Sequence, residues 1–174
     1  KEISRDHKLM ISDSGLVTIT GGKWTTYRKM AEETMDSAIK VGNLKPINCR
    51  TKSLKIHGCS DVLSESHLSI YGTDEEKIRE LIKQNPSLGK KLIDSLPNTV
   101  AEVVWAVRYE MARTIEDILA RRIRILFLNA GAAIKAAPEV AEIMAQELNY
   151  TQDWIRLQLI DFITLANGYL IDVD

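Results

Sequence analysis

The 174-residue sequence has few of the features that mark disulfide-rich, metal-bound or membrane-spanning proteins. Its two cysteines, Cys49 and Cys59, lack the CxxC or Cys/His spacing of a zinc site, so we expect reduced thiols and no metal. No run of about eighteen apolar residues occurs, which predicts no membrane-spanning helix. Residues 1–13 also lack the apolar region of a signal peptide.

An excess of positive charge is also missing. The 23 Lys and Arg residues against 24 Asp and Glu give a formal net charge of -1, which argues against a nucleic-acid-binding protein. Hydrophobic residues make up 45% of the chain and charged residues 27%, the usual balance of a folded cytosolic domain.

The sequence contains neither the spacing of a P-loop nor a GxGxxG fingerprint, but it does contain a glycine pair between two different patterns. Residues 16–20 form a short β-branched run that predicts a buried strand. Gly21 and Gly22 then permit a sharp turn and let a ligand approach without meeting a Cβ atom. Apolar residues recurring at spacings of three and four between Tyr27 and Ile39 predict an amphipathic helix.

A strand, a glycine turn and a helix N-terminus direct backbone N–H groups and the positive end of the helix dipole at one point. Lys23 adds a full charge there, so an anion or an electron-rich ring edge fits the position. Thr25 and Thr26 are candidates to cap the helix or to offer hydroxyls to the same ligand. On spacing alone, an ordinary strand-to-helix turn is the favoured interpretation of these residues.

The rest of the chain predicts a mostly α protein, in which a hairpin over residues 3–20 and one helix precede a bundle of helices. A lone hairpin is marginal in water, so these strands are expected to join a larger sheet. Residues 46–59 keep no sustained period and predict a linker. From residue 60 onward the pattern is helical.

Capping residues mark the expected starts of several of these later helices. Thr73 and Thr99 each precede a Glu by three residues, which predicts two capping boxes. Pro138 is placed at the first turn of a helix, and Thr151 is predicted to cap the last one.

Charged residues recur among apolar ones in the middle of the helical region, namely Glu102, Arg108, Glu110, Asp117, Arg121 and Arg122. A metal or acid–base cluster is one interpretation of this group. The alternating signs favour salt bridges that tie neighbouring helices together. If one partner is buried, Arg121→Ala should cost about 3 to 5 kcal/mol.

Two stretches resemble one family in the right order. Residues 21–28, preceded by residues 4–7, resemble the end of the flavin domain in FAD-dependent glycerol-3-phosphate dehydrogenases. Residues 101–114, followed by Asp117 and the pair Arg121 and Arg122, resemble the signature of that family's helical C-terminal domain. The resemblance implies oxidation of sn-glycerol 3-phosphate to dihydroxyacetone phosphate by FAD, with quinone as the electron acceptor.

The resemblance also implies roles for individual residues. The expected FAD contacts are Gly21, Gly22, Lys23, Trp24 and Thr25. Arg5 and Lys23 are expected to bind the substrate phosphate, because a dianion leaving water needs both charge and fixed donors. Trp24 is equally compatible with a core position. No catalytic residue is assigned: His7 is more simply a packed strand residue, and the base is expected outside this chain.

The family's N-terminal dinucleotide-binding unit is missing, so the chain resembles a C-terminal piece of the enzyme. Residues 1–45 are then the end of the FAD-binding domain, residues 46–59 a linker and residues 60–174 an all-helical domain. We expect the isolated piece neither to retain FAD nor to turn over.

Other interpretations stay open. A related oxidase passing electrons to oxygen shares the motifs. The helical domain is alternatively a self-association or partner-docking module, since the apolar stripe of residues 154–170 is wide for one packing face. The expected location is cytoplasmic, with peripheral association at the cytoplasmic face of the inner membrane and a homo-oligomer as a further expectation.

Overall fold

The computed structural model describes residues 6–62 and 64–170. The chain divides into two compact units, Lys1–Ile56 and His57–Asp174.

The first unit is a β-hairpin followed by a helix. Its elements are β1 (His7–Ile11), β2 (Val17–Gly21), a 3-10 turn (Trp24–Thr26) and α1 (Tyr27–Val41). The strands pair antiparallel, with Leu9 opposite Ile19. Gly15 supplies the positive φ of +84° that closes the connection. The predicted hairpin is therefore present over its described residues.

The second unit is built from helices. Its elements are a 3-10 segment (His67–Asp74), α2 (Glu75–Gln84), a 3-10 turn (Pro86–Gly89), α3 (Val100–Tyr109), a π-helical segment (Asp117–Arg122), α4 (Ile125–Leu128), α5 (Ala130–Leu148) and α6 (Gln152–Asn167). Together with the hairpin they confirm the predicted mostly α fold class.

The hydrophobic core of the second unit surrounds α5, which packs against α3, α4 and α6. Its fully buried large side chains include Ile115, Ile118, Leu119, Val140 and Met144. Alanines on α5 let neighbouring helices approach closely, because they add little volume. A smaller cluster of Leu68, Ile78, Ala101 and Trp105 joins the turn before α2 to α3.

Two of the predicted helix starts are confirmed. Thr99 and Glu102 form a capping box at the start of α3. The hydroxyl of Thr151 accepts a hydrogen bond from the backbone N–H of Trp154 at the start of α6. Each cap joins residues only three positions apart, so it forms whatever the tertiary packing around it.

Three local predictions are wrong. Residues 16–20 do not form a buried strand, because the two faces of the hairpin stay partly or fully exposed. Asp74 rather than Thr73 precedes α2, and its carboxylate binds Lys77 and His57 instead of capping the helix. Pro138 lies inside α5 rather than in its first turn, since Asn129 already caps the helix by accepting from the N–H of Ala132.

The predicted salt bridges between helices are partly wrong. Arg121 pairs with Glu116 and Asp117 of its own segment, at 2.6 and 2.8 Å, and its side chain is 49% exposed. Bridges between helical elements do exist: Arg108 of α3 pairs with Glu147 of α5 at 2.6 Å, and Arg122 pairs with Glu110, the residue after α3, at 3.7 Å. The large loss of stability expected for Arg121→Ala is therefore not supported, because neither Glu116 nor Asp117 is buried.

The sequence predicted no membrane-spanning helix and no metal site, and the structure bears on both only for the residues that it describes. Within that part of the chain, every helix is too short or too polar to cross a bilayer. The described residues also contain no group of three or more His, Cys, Asp or Glu side chains placed to hold a metal ion. Cys49 and Cys59 are free and exposed.

Candidate functional site

The junction of β2 and the 3-10 turn, residues 21–23, is called the glycine turn below. Gly21 and Gly22 adopt φ values of +80° and +79°, which L side chains rarely take. A Cβ atom on Gly21 would lie 3.0 Å from the carbonyl oxygen of Asp6, and one on Gly22 would overlap the sulfur of Met30. The backbone path therefore requires glycine at both positions.

Lys23 and Thr26 fix the start of the helix. The backbone N–H of Lys23 donates to Oγ1 of Thr26 at 3.1 Å, and the Thr26 hydroxyl donates to the Lys23 carbonyl at 2.9 Å. Thr26 is therefore the capping residue, and Thr25 is left exposed. Because the cap uses the Lys23 N–H, fewer free backbone donors face a ligand than the sequence predicted.

The side chains of the glycine turn and of the residues after it point to solvent. Lys23 is exposed, and Trp24 is 86% exposed while stacking on Tyr27 with ring centroids 5.5 Å apart. Trp24 is consequently not a core residue of this chain. An exposed aromatic beside an exposed ammonium offers a flat apolar surface and a positive charge to one ligand.

Three of the five predicted cofactor contacts, Gly21, Gly22 and Lys23, form the glycine turn, and Trp24 and Thr25 follow directly in the 3-10 turn. Arg5, the second predicted phosphate ligand, lies outside the described residues. Its convergence with Lys23 therefore stays a prediction.

Glu33 of α1 belongs to the surroundings of this site and was missed by the sequence analysis. His7 of β1 lies opposite Gly21, and its Nε2 is 2.5 Å from Oε2 of Glu33. The hydrogen bond from His7 lowers the pKa of the Glu33 carboxyl below its ordinary value. The available signal was spacing: Thr26, Met30 and Glu33 recur on one face of α1.

The glycine turn passes a simple test for a polar or anionic cofactor edge. Both glycines are needed because a Cβ atom there would meet Asp6 or Met30 of this chain, and the exposed Lys23 lies at the positive, N-terminal end of the 3-10 turn and α1. These residues fit the polar edge of a flavin ring. Gly21, Gly22, Lys23, Trp24 and Thr25 remain the predicted contacts.

A cleft of about 650 Å³ in the second unit offers a contrasting set of groups, including His57, Asp74, Trp105 and Glu110. Burial would raise the pKa of Asp74, but hydrogen bonds from Lys77 and His57 hold it below its ordinary value. Burial raises the pKa of Glu110, against the opposing charge of Arg122. Asp74 is already paired within the protein, which is typical of a structural network rather than of a ligand site.

Comparison with known proteins matches residues 15–154 to the model of one family, the C-terminal domain of alpha-glycerophosphate oxidase. The mitochondrial glycerol-3-phosphate dehydrogenase of Mesocricetus auratus is 38% identical over 87% of this chain and 24% of its own length. The Arabidopsis thaliana protein SDP6 is 38% identical over 84% of this chain and 28% of its own length. The Homo sapiens protein is 37% identical over 86% and 23%. The chain thus spans about a quarter of the length of these relatives.

Proposed function

Since the chain belongs to the family of the C-terminal domain of alpha-glycerophosphate oxidase, we propose that it is part of an enzyme that oxidises sn-glycerol 3-phosphate to dihydroxyacetone phosphate. The similarity to glycerol-3-phosphate dehydrogenases of three organisms supports the substrate and the reaction. The observation that carries the proposal is the glycine turn, whose backbone path needs two glycines and which ends in an exposed lysine.

The proposed cofactor is FAD, which when bound accepts the two electrons and the hydrogen of the alcohol carbon. Gly21 and Gly22 would let its ring edge approach the backbone, and Trp24 and Thr25 would border it. The Lys23 ammonium would stabilise negative charge that gathers at this edge during the reaction. All of these groups are consecutive in sequence, so the backbone of one short segment would carry every contact.

The substrate phosphate needs cations, because a dianion that leaves water loses a large hydration energy. Lys23 is the described cation at the glycine turn, and we propose that Arg5 joins it. We propose that a base outside this chain removes the alcohol proton, and that His7 instead donates from Nε2 to Glu33.

A direct test compares the full-length protein with the 174-residue chain. The full-length protein should purify with a flavin absorption spectrum and reduce an artificial acceptor when glycerol 3-phosphate is added. The 174-residue chain should be colourless and inactive, because one turn offers too few contacts to retain a dinucleotide. A yellow, active 174-residue chain, or a full-length protein without flavin, would contradict the proposal.

Quinone is the proposed electron acceptor, with oxygen as the alternative. The names of the relatives favour a dehydrogenase, whereas the family description names an oxidase. Full-length protein should reduce a short-chain quinone much faster than it produces hydrogen peroxide. Peroxide formed in amounts equal to the substrate consumed, with quinone having no effect, would make the protein an oxidase.

We propose a cytoplasmic location with peripheral attachment to the inner membrane. The names of the relatives instead place those proteins in mitochondria. Washing isolated membranes with high salt or carbonate should release the protein, since such treatment removes peripheral proteins. Protein that resists both washes would contradict peripheral attachment.

A second candidate function is self-association or partner docking through the helical unit. Leu157 and Ile160 of α6 are 52% and 53% exposed, and apolar side chains exposed together favour an interface. Sedimentation velocity of the 174-residue chain should then show a dimer that Leu157→Asp weakens. A monomer at high concentration would remove self-association and leave docking to another partner.

A further inference from the structure

The hydrogen bond between His7 and Glu33 has no part in the proposed chemistry. It joins residues 26 positions apart, so it connects β1 to α1 rather than continuing a local turn. An ionised carboxylate only accepts hydrogen bonds, and the imidazole Nε2 is therefore the donor. His7 is only 18% exposed, whereas Glu33 is 42% exposed, so the bond lies at the edge of the contact between hairpin and helix.

Contacts on one face of α1 relate this bond to the glycine turn. Glu33 lies three residues after Met30, whose sulfur occupies the space that a Cβ atom on Gly22 would need. That sulfur also lies 3.5 Å from Oγ1 of Thr26, whose one hydroxyl proton goes to the closer Lys23 carbonyl. Thr26 in turn holds both backbone groups of Lys23.

His7 approaches the same turn from the side of the strand. It pairs in register with Gly21, and its Cβ atom would lie 3.4 Å from a Cβ atom on Gly22. The glycine turn is thus held between β1 on one side and the Thr26, Met30 and Glu33 face of α1 on the other. The His7–Glu33 bond is one of the contacts that join these two sides.

We propose that His7 is a positioning residue, which through Glu33 holds α1 against β1 and so fixes Lys23 where it binds the substrate phosphate. The identity of the bound group rests on the proposed function. In this role His7 acts through the hydrogen bond from its Nε2 to Glu33 and neither contacts the substrate nor removes its proton. The effect of losing His7 is consequently on substrate binding more than on the chemical step.

Steady-state kinetics of the full-length enzyme separate these roles. His7→Ala should raise KM for glycerol 3-phosphate about tenfold and leave kcat within about threefold. His7→Gln keeps a side-chain N–H for Glu33 and should restore KM to near the wild-type value. A general base would instead lose about 100-fold or more in kcat in both variants, and that result would overturn the proposal.

The partner is tested by a double-mutant cycle. Glu33→Ala should raise KM as much as His7→Ala does, and the double variant should be no worse than either single one, because both remove one bond. Lys29→Ala is the matched control. The Lys29 ammonium lies 3.5 Å from Oε1 of Glu33, but both residues belong to α1, so this pair does not connect α1 to β1. Additive effects, or an equal rise in KM for Lys29→Ala, would contradict the proposal.

Amide hydrogen exchange of the full-length protein gives a readout that does not need activity. His7→Ala should speed exchange in the first turns of α1 and in the glycine turn, while His7→Gln should not. If the exchange changes as expected but the full-length protein does not oxidise glycerol 3-phosphate, the proposed function fails and the positioning of the turn stands. Unchanged exchange in His7→Ala removes the positioning role itself.

Discussion

The two units of the chain differ sharply in how far their side chains are buried. The described elements of the first unit, from β1 to α1, contain no buried residue. In the second unit α3 alone buries eight residues in succession, from Val100 to Val107. The second unit therefore has a hydrophobic core of its own, whereas the described part of the first unit depends on hydrogen bonds and on partly covered side chains.

This difference indicates where the function lies. A region without a core has little stability of its own unless something else covers it, as expected for the end of a larger domain. The first unit also carries the glycine turn and the exposed Lys23. We interpret the second unit as a self-sufficient scaffold and the first as a ligand-binding edge completed by the rest of the protein.

The largest expected effect comes from separating the units. Residues 57–174 alone should unfold in one cooperative transition, because the whole core lies within them. Residues 1–56 alone should show no such transition by circular dichroism. A cooperative melt of residues 1–56, or an unfolded second fragment, would break the comparison.

Core truncation should affect only the second unit. Ile118 is fully buried, so Ile118→Ala should lower the free energy of unfolding by about 2 to 5 kcal/mol. Ile47 of the first unit is 74% exposed, so Ile47→Ala should change the free energy of unfolding by less than about 0.5 kcal/mol. Urea unfolding of the 174-residue chain measures both. Similar losses in the two variants would contradict the difference in burial.

Two neighbouring arginines sharpen the comparison inside the second unit. Arg122 donates from Nε and Nη2 to the carbonyl oxygen of Glu110, next to Met111, whose φ is +56°. Arg122→Ala should cost about 1 to 3 kcal/mol, because it leaves this turn without a charged donor. Arg121→Ala should cost less than about 1 kcal/mol, since its ion pairs are exposed. Thermal melts that rank the two variants the other way would contradict these assignments.

A smaller effect depends on pH. Burial would raise the pKa of Asp117, but hydrogen bonds from the backbone N–H groups of Arg113 and Thr114 and from Arg121 hold it below its ordinary value. A lowered folded-state pKa stabilises above the unfolded value of about 3.9, and the gain is lost as pH falls through the lowered pKa.

At pH 6, Asp117→Ala should therefore reduce the free energy of unfolding by about 1 kcal/mol, as for a lost helix cap. The difference from wild type should shrink below pH 4. Leu157→Ala is the control, because Leu157 is exposed and carries no titratable group, and its difference from wild type should not change with pH. Urea unfolding at several pH values measures both, and a difference that stays constant down to pH 2 would contradict the assigned pKa shift.

Local signals in the sequence predicted the hairpin, the glycine turn and the caps at Thr99 and Thr151, because each depends on a few neighbouring residues. Pairings between distant residues were not predictable in the same way. Glu33 meets His7 only because β1 folds back on α1.

The errors have related physical causes. Pro138 continues α5 because the alanine-rich helix is fixed by packing on three neighbours. The strand over residues 16–20 was expected to be buried because its β-branched, apolar residues are typical of a strand covered on both faces. Within this chain, the hairpin and α1 do not cover it in that way. The roles of Arg5, Lys23 and the other proposed contact residues depend on a cofactor and a substrate that are not part of the chain. These roles remain predictions.

The most direct test of the account is the KM for glycerol 3-phosphate of the full-length enzyme carrying Lys23→Ala, compared with Lys40→Ala, an exposed lysine at the far end of α1. Loss of a charge-assisted contact to the phosphate should raise KM roughly 10- to 100-fold in Lys23→Ala and leave Lys40→Ala unchanged. Wild-type kinetics in Lys23→Ala would contradict the assignment of the glycine turn as the substrate and cofactor site.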